Sequence, residues 1–369
     1  MLNPALARET LQETVRKVRE GTFPYLPRFP PLRDWSLYDR AQTHEAPDLS
    51  ALLVSATDTL VERVPTWGAV PGRLPGRPRI PVVDRLRALV WQSYRGMANR
   101  PTSSELTLLS HRLRLIRPFS YGTVAHAYHE AEVRVALQAL LWMTNEPVSG
   151  RERRFAIDGS GLSTGRADHY SSHRGKQRGE GREEGAFPLS NHRPWVRNVA
   201  NLGMDCGLVA GWKSWVNPEI GELSAFEEVF RMTVALHPGA ELQLGDGLYS
   251  ARWVVGRVAK EGMELRALPR RNTTLKCLGE PAWPKSIWGL VKDPQGWLKE
   301  YHERSKVEAF WGALKARNPE KIRKRVAHAQ EVEATAKAVV HNLRRLCYFH
   351  WVEGMDPEPD GWSLDRVAG

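Results

Sequence analysis

Arg153-Arg154-Phe155-Ala156-Ile157-Asp158-Gly159-Ser160-Gly161 passes from two cations through a short apolar run to an acid followed by small residues. An apolar run this brief, closed by glycine, predicts a buried strand with a carboxylate at its carboxyl end. A second stretch repeats the arrangement. Leu242-Gln243-Leu244-Gly245 leads to Asp246, and Gly247-Leu248-Tyr249-Ser250 enters a helix that Ser250 is placed to cap. Carboxylates in such positions are costly unless they hold a partner, and a divalent cation is one candidate. For either acid alone, a turn or cap aspartate is the competing explanation.

Residues 196–204, 208–215 and 265–268 supply further β-type runs, and helix-period stretches at 224–234 and 250–261 separate the later ones. Three strands close together, then helix, strand, helix, strand, predict an α/β fold, a mixed sheet with helical crossovers over residues 149–352. Residues 166–193, polar and Gly-rich, predict a mobile loop between the first two strands. A long last helix at 331–349 offers Ala334, Ala338, Leu343 and Leu346 to the sheet, and an acidic tail fills 353–369.

Upstream the period is helical. Residues 1–63 predict helices at 4–20 and 51–62, and the Pro/Gly-rich basic linker 64–81 follows. Its patch Pro75-Gly76-Arg77-Pro78-Arg79 resembles minor-groove-binding Gly-Arg-Pro cores, a match that a Pro/Gly linker also produces by chance. Residues 82–148 predict three helices, with breaks at Arg100-Pro101 and Arg117-Pro118 and with Ser120 or Thr123 as a cap. With Arg95, Arg100, Arg112, Arg114 and Arg117, these helices fit a helix-turn-helix DNA reader. A plain helical bundle supporting the next domain fits equally well.

The chain has 369 residues, 53 Lys+Arg against 42 Asp+Glu, a net charge of +11 and a pI near 9.7. At 41% hydrophobic residues with 14 Trp it can build a substantial core, which excludes wholesale disorder. No apolar run reaches the ~18 residues of a membrane span, so a soluble, cytoplasmic protein is expected. Cys206, Cys277 and Cys347 are too scattered for a disulfide framework or a zinc-cysteine site. The excess positive charge concentrates around Arg304, Lys306, Lys315, Arg317, Lys321, Arg323, Lys324 and Arg325, which suits a polyanion partner or, more blandly, a solvated helix face.

That basic run begins inside Tyr301-His302-Glu303-Arg304-Ser305-Lys306-Val307-Glu308-Ala309-Phe310-Trp311-Gly312-Ala313-Leu314-Lys315. Read as one helix, Tyr301, Arg304, Glu308 and Lys315 fall within about 60° of one another. Val307, Phe310, Trp311 and Leu314 form an apolar face, and Ser305, Ala309, Gly312 and Ala316 leave room for a bulky ligand on the other side. Glu303 points away from the stripe. An ordinary amphipathic helix would explain an i,i+4 Arg304/Glu308 pair but not the full stripe.

The spacing Tyr301, two residues, Arg304, three residues, Glu308, six residues, Lys315 resembles the Asp-Asp-Glu transposases of bacterial insertion sequences, in the group marked by Y-(2)-R-(3)-E-(6)-K. The resemblance runs from about Phe155 to Phe349. It implies an RNase H-like catalytic domain in which Asp158, Asp246 and Glu308 are the three catalytic acids. Three converging carboxylates would hold two Mg²⁺ or Mn²⁺ ions about 3.5 to 4 Å apart for in-line displacement at phosphorus. Arg304 and Lys315 would neutralise phosphate, and Tyr301 would hydrogen-bond or stack near the cleaved end. The implied partner is double-stranded DNA, as terminal inverted repeats and target, bound by a homodimer. The implied reaction is cut-and-paste transposition, with a catalytically inactive or nuclease-only relative as the alternative. The short interval from Asp246 to Glu308 leaves no room for the large inserted β domain that some relatives carry. Trp283, Trp288 and Trp297 in that interval offer faces for a displaced base, with core packing as the alternative.

Overall fold

The computed structural model describes residues 4–27, 34–69, 79–164, 195–217, 219–317 and 321–357. Most of the patch at 75–79, the predicted loop at 166–193 and the tail from 358 lie outside them. Among the described residues one five-stranded sheet forms, built from β1 (Arg154–Ser163), β2 (Trp195–Gly203), β3 (Val209–Trp215), β4 (Leu242–Gly245) and β5 (Glu264–Ala267). The spatial order is β3-β2-β1-β4-β5; β1, β2 and β3 pair antiparallel, whereas β4 and β5 join parallel to β1. The α/β expectation holds and a strand forms at each of the five predicted positions, although β1 runs past Asp158 to Ser163.

Alternation along β1 shows why the sheet is covered on both sides. Phe155 and Ile157 enter one apolar cluster; Ala156 and Leu162 enter the other. The first cluster is closed by α1 (Pro4–Arg19), α7 (Glu222–Leu236), α8 (Arg252–Lys260), α9 (Ala282–Lys292) and α10 (Pro294–Tyr301). The second is closed by α2 (Trp35–Arg63), α3 (Val82–Arg95), α6 (Ala131–Met143), α11 (Ser305–Arg317) and α12 (Ala327–Glu353). Helices α4 (Asn99–Leu108) and α5 (Tyr121–Ala127) complete the upstream helical layer. Residues 82–148 therefore share one continuous core with a face of the sheet.

Several local expectations change. Helix α2 begins at Trp35, where Asp34 Oδ1 accepts from the N–H groups of Ser36 (2.9 Å) and Leu37 (3.2 Å), and it runs through Pro47. Packing of Leu49, Leu52, Leu53, Ala56 and Leu60 in the core outweighs the proline. Arg100-Pro101 lies inside the first turn of α4, where a missing N–H costs no helical bond, and the break falls earlier, at left-handed Gly96. Ser120 does cap α5, accepting from Thr123 N at 3.2 Å. Ser250 does not cap α8; Ala251 occupies that position without a side-chain bond. Trp283 and Trp297 are buried in the core, and Trp288 is half-buried beside Lys292, so packing claims the first two.

Of the predicted basic readers in the helical layer, Arg95 pairs with Glu105 at 3.0 Å and Arg114 with Asp58 at 2.9 Å, Arg112 Nε donates to Ser50 Oγ at 2.7 Å, and Arg100 lies over the Tyr121 ring. Arg87, only 3% exposed, pins the layer: it pairs with Asp58 and donates to Thr57 Oγ1 at 2.7 Å and to the carbonyls of Leu113 and Arg114.

Candidate active site

The parallel register of β1 and β4 pairs Phe155 with Gln243 and Ala156 with Leu244. Carried forward two residues, it sets Asp158, in the middle of β1 and not at the strand end that the sequence predicts, beside Asp246, which directly follows the carboxyl end of β4. Asp158 has the strand parity of Ala156 and Leu162, so it belongs to the sheet face on which α11 packs through Val307, Phe310, Trp311 and Leu314. Burial is the main force on Asp158, and the carboxylates of Glu222 and Asp246 add to it; together they push its acid up to about 7 against the opposing pull of Gly159 N–H and Arg304. Asp246 Oδ1 accepts from Leu248 N at 2.7 Å, which fixes the turn after β4.

Glu222, in the first turn of α7, is a functional candidate that sequence reasoning missed. Its carboxylate lies where a side chain on residue 159 would be: a Cβ there would stand 2.4 Å from the Glu222 carboxyl carbon, so glycine makes the approach feasible. Tyr249 donates its hydroxyl to Glu222 Oε1 at 2.7 Å. Burial raises the Glu222 acid, the Tyr249 bond opposes the rise and Asp246 adds to it. Burial first, then Glu222, hold the Tyr249 phenol far above its ordinary range, so it remains a donor. Nothing in the local sequence marks Glu222. Its place depends on the fold bringing α7 over Gly159.

The 301–315 stretch is not one regular helix. Tyr301 ends α10, residues 302–304 form a 3-10 turn, and α11 starts at Ser305. Arg304 nonetheless joins the stripe: its Nε donates to Tyr301 Oη at 3.2 Å and its Nη1 contacts Glu308 Oε1 at 2.6 Å. Tyr301 is 4% exposed and stacks on Trp297 at 5.2 Å, so it acts from within the wall. Lys315 lies two turns beyond Glu308, half-exposed, and Ser305, Ala309, Gly312 and Ala316 form an open small-residue surface as expected. Glu303 turns to Lys306 at 2.6 Å, away from the acids.

Among the described residues no three His, Cys, Asp or Glu side chains gather closely enough to share a metal ion. Asp158 feels the charges of Glu222 and Asp246, and Glu222 that of Asp246, whereas Glu308, its side chain 54% exposed, is set against Arg304. As oxygen ligands of like charge, the carboxylates of the first group are of the type that suits a hard divalent cation, but they are not gathered closely enough here to hold one. Glu308 would have to leave Arg304 to join them.

Beside Asp246 an open cleft is lined by Arg19, Asp246, Leu248, Arg270, Tyr301 and Arg304. Its walls come from the end of α1, the turn after β4, the loop after β5 and the α10–α11 junction.

No known protein-family profile matches the chain. Over 271 residues, 73% of this chain and 76% of the relative, it is 26% identical to a probable transposase for an insertion sequence element of Archaeoglobus fulgidus. The aligned length is most of both proteins, so the similarity concerns the chain as a whole and not one motif.

Proposed function

We propose that this chain is an insertion-sequence transposase of the Asp-Asp-Glu type, which binds the ends of its element and cuts and joins DNA through an RNase H-like catalytic domain. The observation that carries the reading is Asp158, within β1, beside Asp246, just past the end of parallel β4, with Asp158 on the sheet face against which α11, the helix of Glu308, packs. The strand order, antiparallel on one side of β1 and parallel on the other, and the transposase relative support it.

Asp158, Asp246 and Glu308 would hold two Mg²⁺ or Mn²⁺ ions, whose chemistry is activation of water or a 3′-hydroxyl and stabilisation of the leaving oxygen. The chain's own residues do the rest. Asp158 must give up its proton, which a cation favours. Arg304 offers a planar fork to phosphate once Glu308 turns inward. Lys315, roughly 10 Å farther along the axis, neutralises a phosphate one or two nucleotides away. Tyr301 fixes Arg304 from behind. The partner is double-stranded DNA, held by a homodimer in the cytoplasm; among the described residues no helix is long and apolar enough to cross a membrane.

The test is cleavage of a duplex carrying the element's terminal repeat. Asp158→Ala, Asp246→Ala and Glu308→Ala should each abolish magnesium-dependent nicking while binding stays within a few-fold of wild type, because the lost groups are metal ligands and not phosphate contacts. Full nicking by Glu308→Ala would overturn the assignment. A binding-only relative would show end recognition with no metal-dependent nicking by the unaltered protein.

A further inference from the structure

The signature accounts for one side of the cleft beside Asp246 and leaves two arginines without a role. Arg19 closes α1 and Arg270 follows β5; neither belongs to the 301–315 stretch, and both are exposed. Arg19 is anchored by one bond, Nη2 to the Pro269 carbonyl at 3.1 Å, which ties the end of α1 to the loop that carries Arg270. The same Nη2 stands 3.7 Å from the point a Cβ on Gly247 would occupy, so the guanidinium lies against the Asp246-Gly247 turn. Arg19 and Asp246 both act electrostatically on the Tyr301 hydroxyl. Among the described residues neither Arg19 nor Arg270 forms an ion pair, whereas Arg257 and Arg266 in the neighbouring elements are each bound by carboxylates.

Three guanidinium groups, Arg19, Arg270 and Arg304, thus face one cleft whose carboxylate is Asp246. Such an arrangement costs self-repulsion in the free protein and is relieved by an anion with several acceptor oxygens. A phosphodiester fits, since Asp246 is also where the scissile phosphate lies under the proposed function, on which this inference rests. We propose that Arg19 and Arg270 clamp a DNA phosphate adjoining the scissile one, across Asp246 from Arg304 and Lys315. The amino-terminal helix then belongs to the DNA-end site itself and carries the strand through the cleft between α1 and α10.

The experiment uses the full chain in magnesium-free buffer and a fluorescent duplex of the terminal repeat, nicked at the element junction, across a salt series. Arg19→Ala and Arg270→Ala should each weaken binding roughly 5- to 10-fold and lower the slope of log affinity against log salt by about 1. Lys17→Ala removes the same charge from the far side of α1, where Lys17 pairs with Glu13, and should stay within about 2-fold. A neutral methylphosphonate scanned along both strands should locate one phosphate at which Arg19→Ala costs nothing further, the sign of a shared contact. Wild-type affinity and slope in both arginine variants, or losses additive at every methylphosphonate position, would overturn the clamp. Should Arg19→Ala loosen α1, seen as a lowered melting temperature, Arg270→Ala alone decides. Nicking of the same terminal-repeat sequence as an intact duplex with magnesium separates the two failures: an unaltered protein that does not nick overturns the transposase reading and the clamp together, whereas one that nicks while both arginine variants bind normally overturns the clamp only.

Discussion

At the scale of single residues, Asp158 is the most informative group, because its environment opposes its charge. Below pH about 4 the carboxyl is protonated in the folded and unfolded chain alike and costs nothing. Between about 4 and 7 the unfolded chain releases the proton while the fold retains it, so stability falls as pH rises, and the full cost applies above 7. Each tenfold displacement of a protonation equilibrium is worth about 1.4 kcal/mol, so the cost is on the order of a few kcal/mol. Asp158→Asn should therefore raise the melting temperature of the metal-free protein at pH 8 by roughly 2 to 6 °C and leave it unchanged at pH 4. Magnesium should raise the melting temperature of the wild type at pH 8 and not that of Asp158→Asn, because ion binding to the folded state is what offsets the repulsion. An Asn variant less stable than wild type at pH 8 would show that Asp158 is already satisfied by protein groups. Glu222→Gln should act in the same direction, since it keeps an oxygen acceptor for the Tyr249 hydroxyl while removing the carboxylate that, after burial, does most to hold the proton on Asp158.

At the scale of elements, Asn342 of α12 ties the start of β3, at the sheet edge, to the helical layer. Asn342 accepts from Val209 N at 2.8 Å and donates to Val209 O and Thr144 Oγ1 at 2.9 Å each, fully buried. Asn342→Leu leaves the N–H at the start of β3 without that acceptor, a loss of about 1 to 3 kcal/mol for the orphaned group with the other two bonds added to it. Chemical denaturation should show a fall of about 2 to 4 kcal/mol with an unchanged m-value; a neutral result would mean that water replaces the amide. This bond also marks the limit of what the sequence discloses. Strands β1 to β5 were legible because their apolar runs are short and bounded by charge or glycine, and Asp158 and Asp246 were legible because each ends such a run. Helix α2 extends well beyond the expected 51–62 because tertiary packing retains a helix against which Pro47 argues locally. The 3-10 turn at 302–304 escaped because a helical wheel assumes one pitch, although Arg304 still reaches both Tyr301 and Glu308. Glu222, Arg19 and Arg270 carry no local signal: each acquires meaning from a residue tens of positions away or more, namely Gly159, Pro269 and Asp246.

At the scale of the whole molecule, the two layers are not separable. Helix α12 is buried along nearly its whole length, with Ala329, Val332, Ala336, Val339, Val340, Leu343, Leu346 and Phe349 in the core, and it packs on α2, α3 and α6 as well as on β3. A helix buried on nearly every side is an interior helix and requires cover all round. Removing residues 1–145 would bare the side that faces the helical layer. Each aliphatic side chain so exposed loses about 1.5 to 3 kcal/mol, so a handful offset the ~5 to 15 kcal/mol that stabilises a typical domain. A fragment of residues 149–357 should therefore aggregate or bind hydrophobic dye without a cooperative melt, and the full chain should unfold so that probes in both layers report one midpoint. A fragment that melts cooperatively on its own would make the helical layer an independent unit. The coupling also governs how end recognition has to be tested, since loss of DNA discrimination after truncation would report unfolding. Substitution at a cation that carries no fold-wide contact avoids this. Arg100 is the suitable site: among the described residues it rests only over the exposed Tyr121 ring, whereas Arg112 and Arg114 bind Ser50 and Asp58 of α2. If the helical layer reads the element's ends, Arg100→Ala should lower the ratio of end binding to random-duplex binding by roughly 5- to 50-fold with an unchanged melting temperature. Equal loss on both duplexes would make Arg100 a backbone contact, and no loss on either would leave the layer as the scaffold of α12 and the sheet.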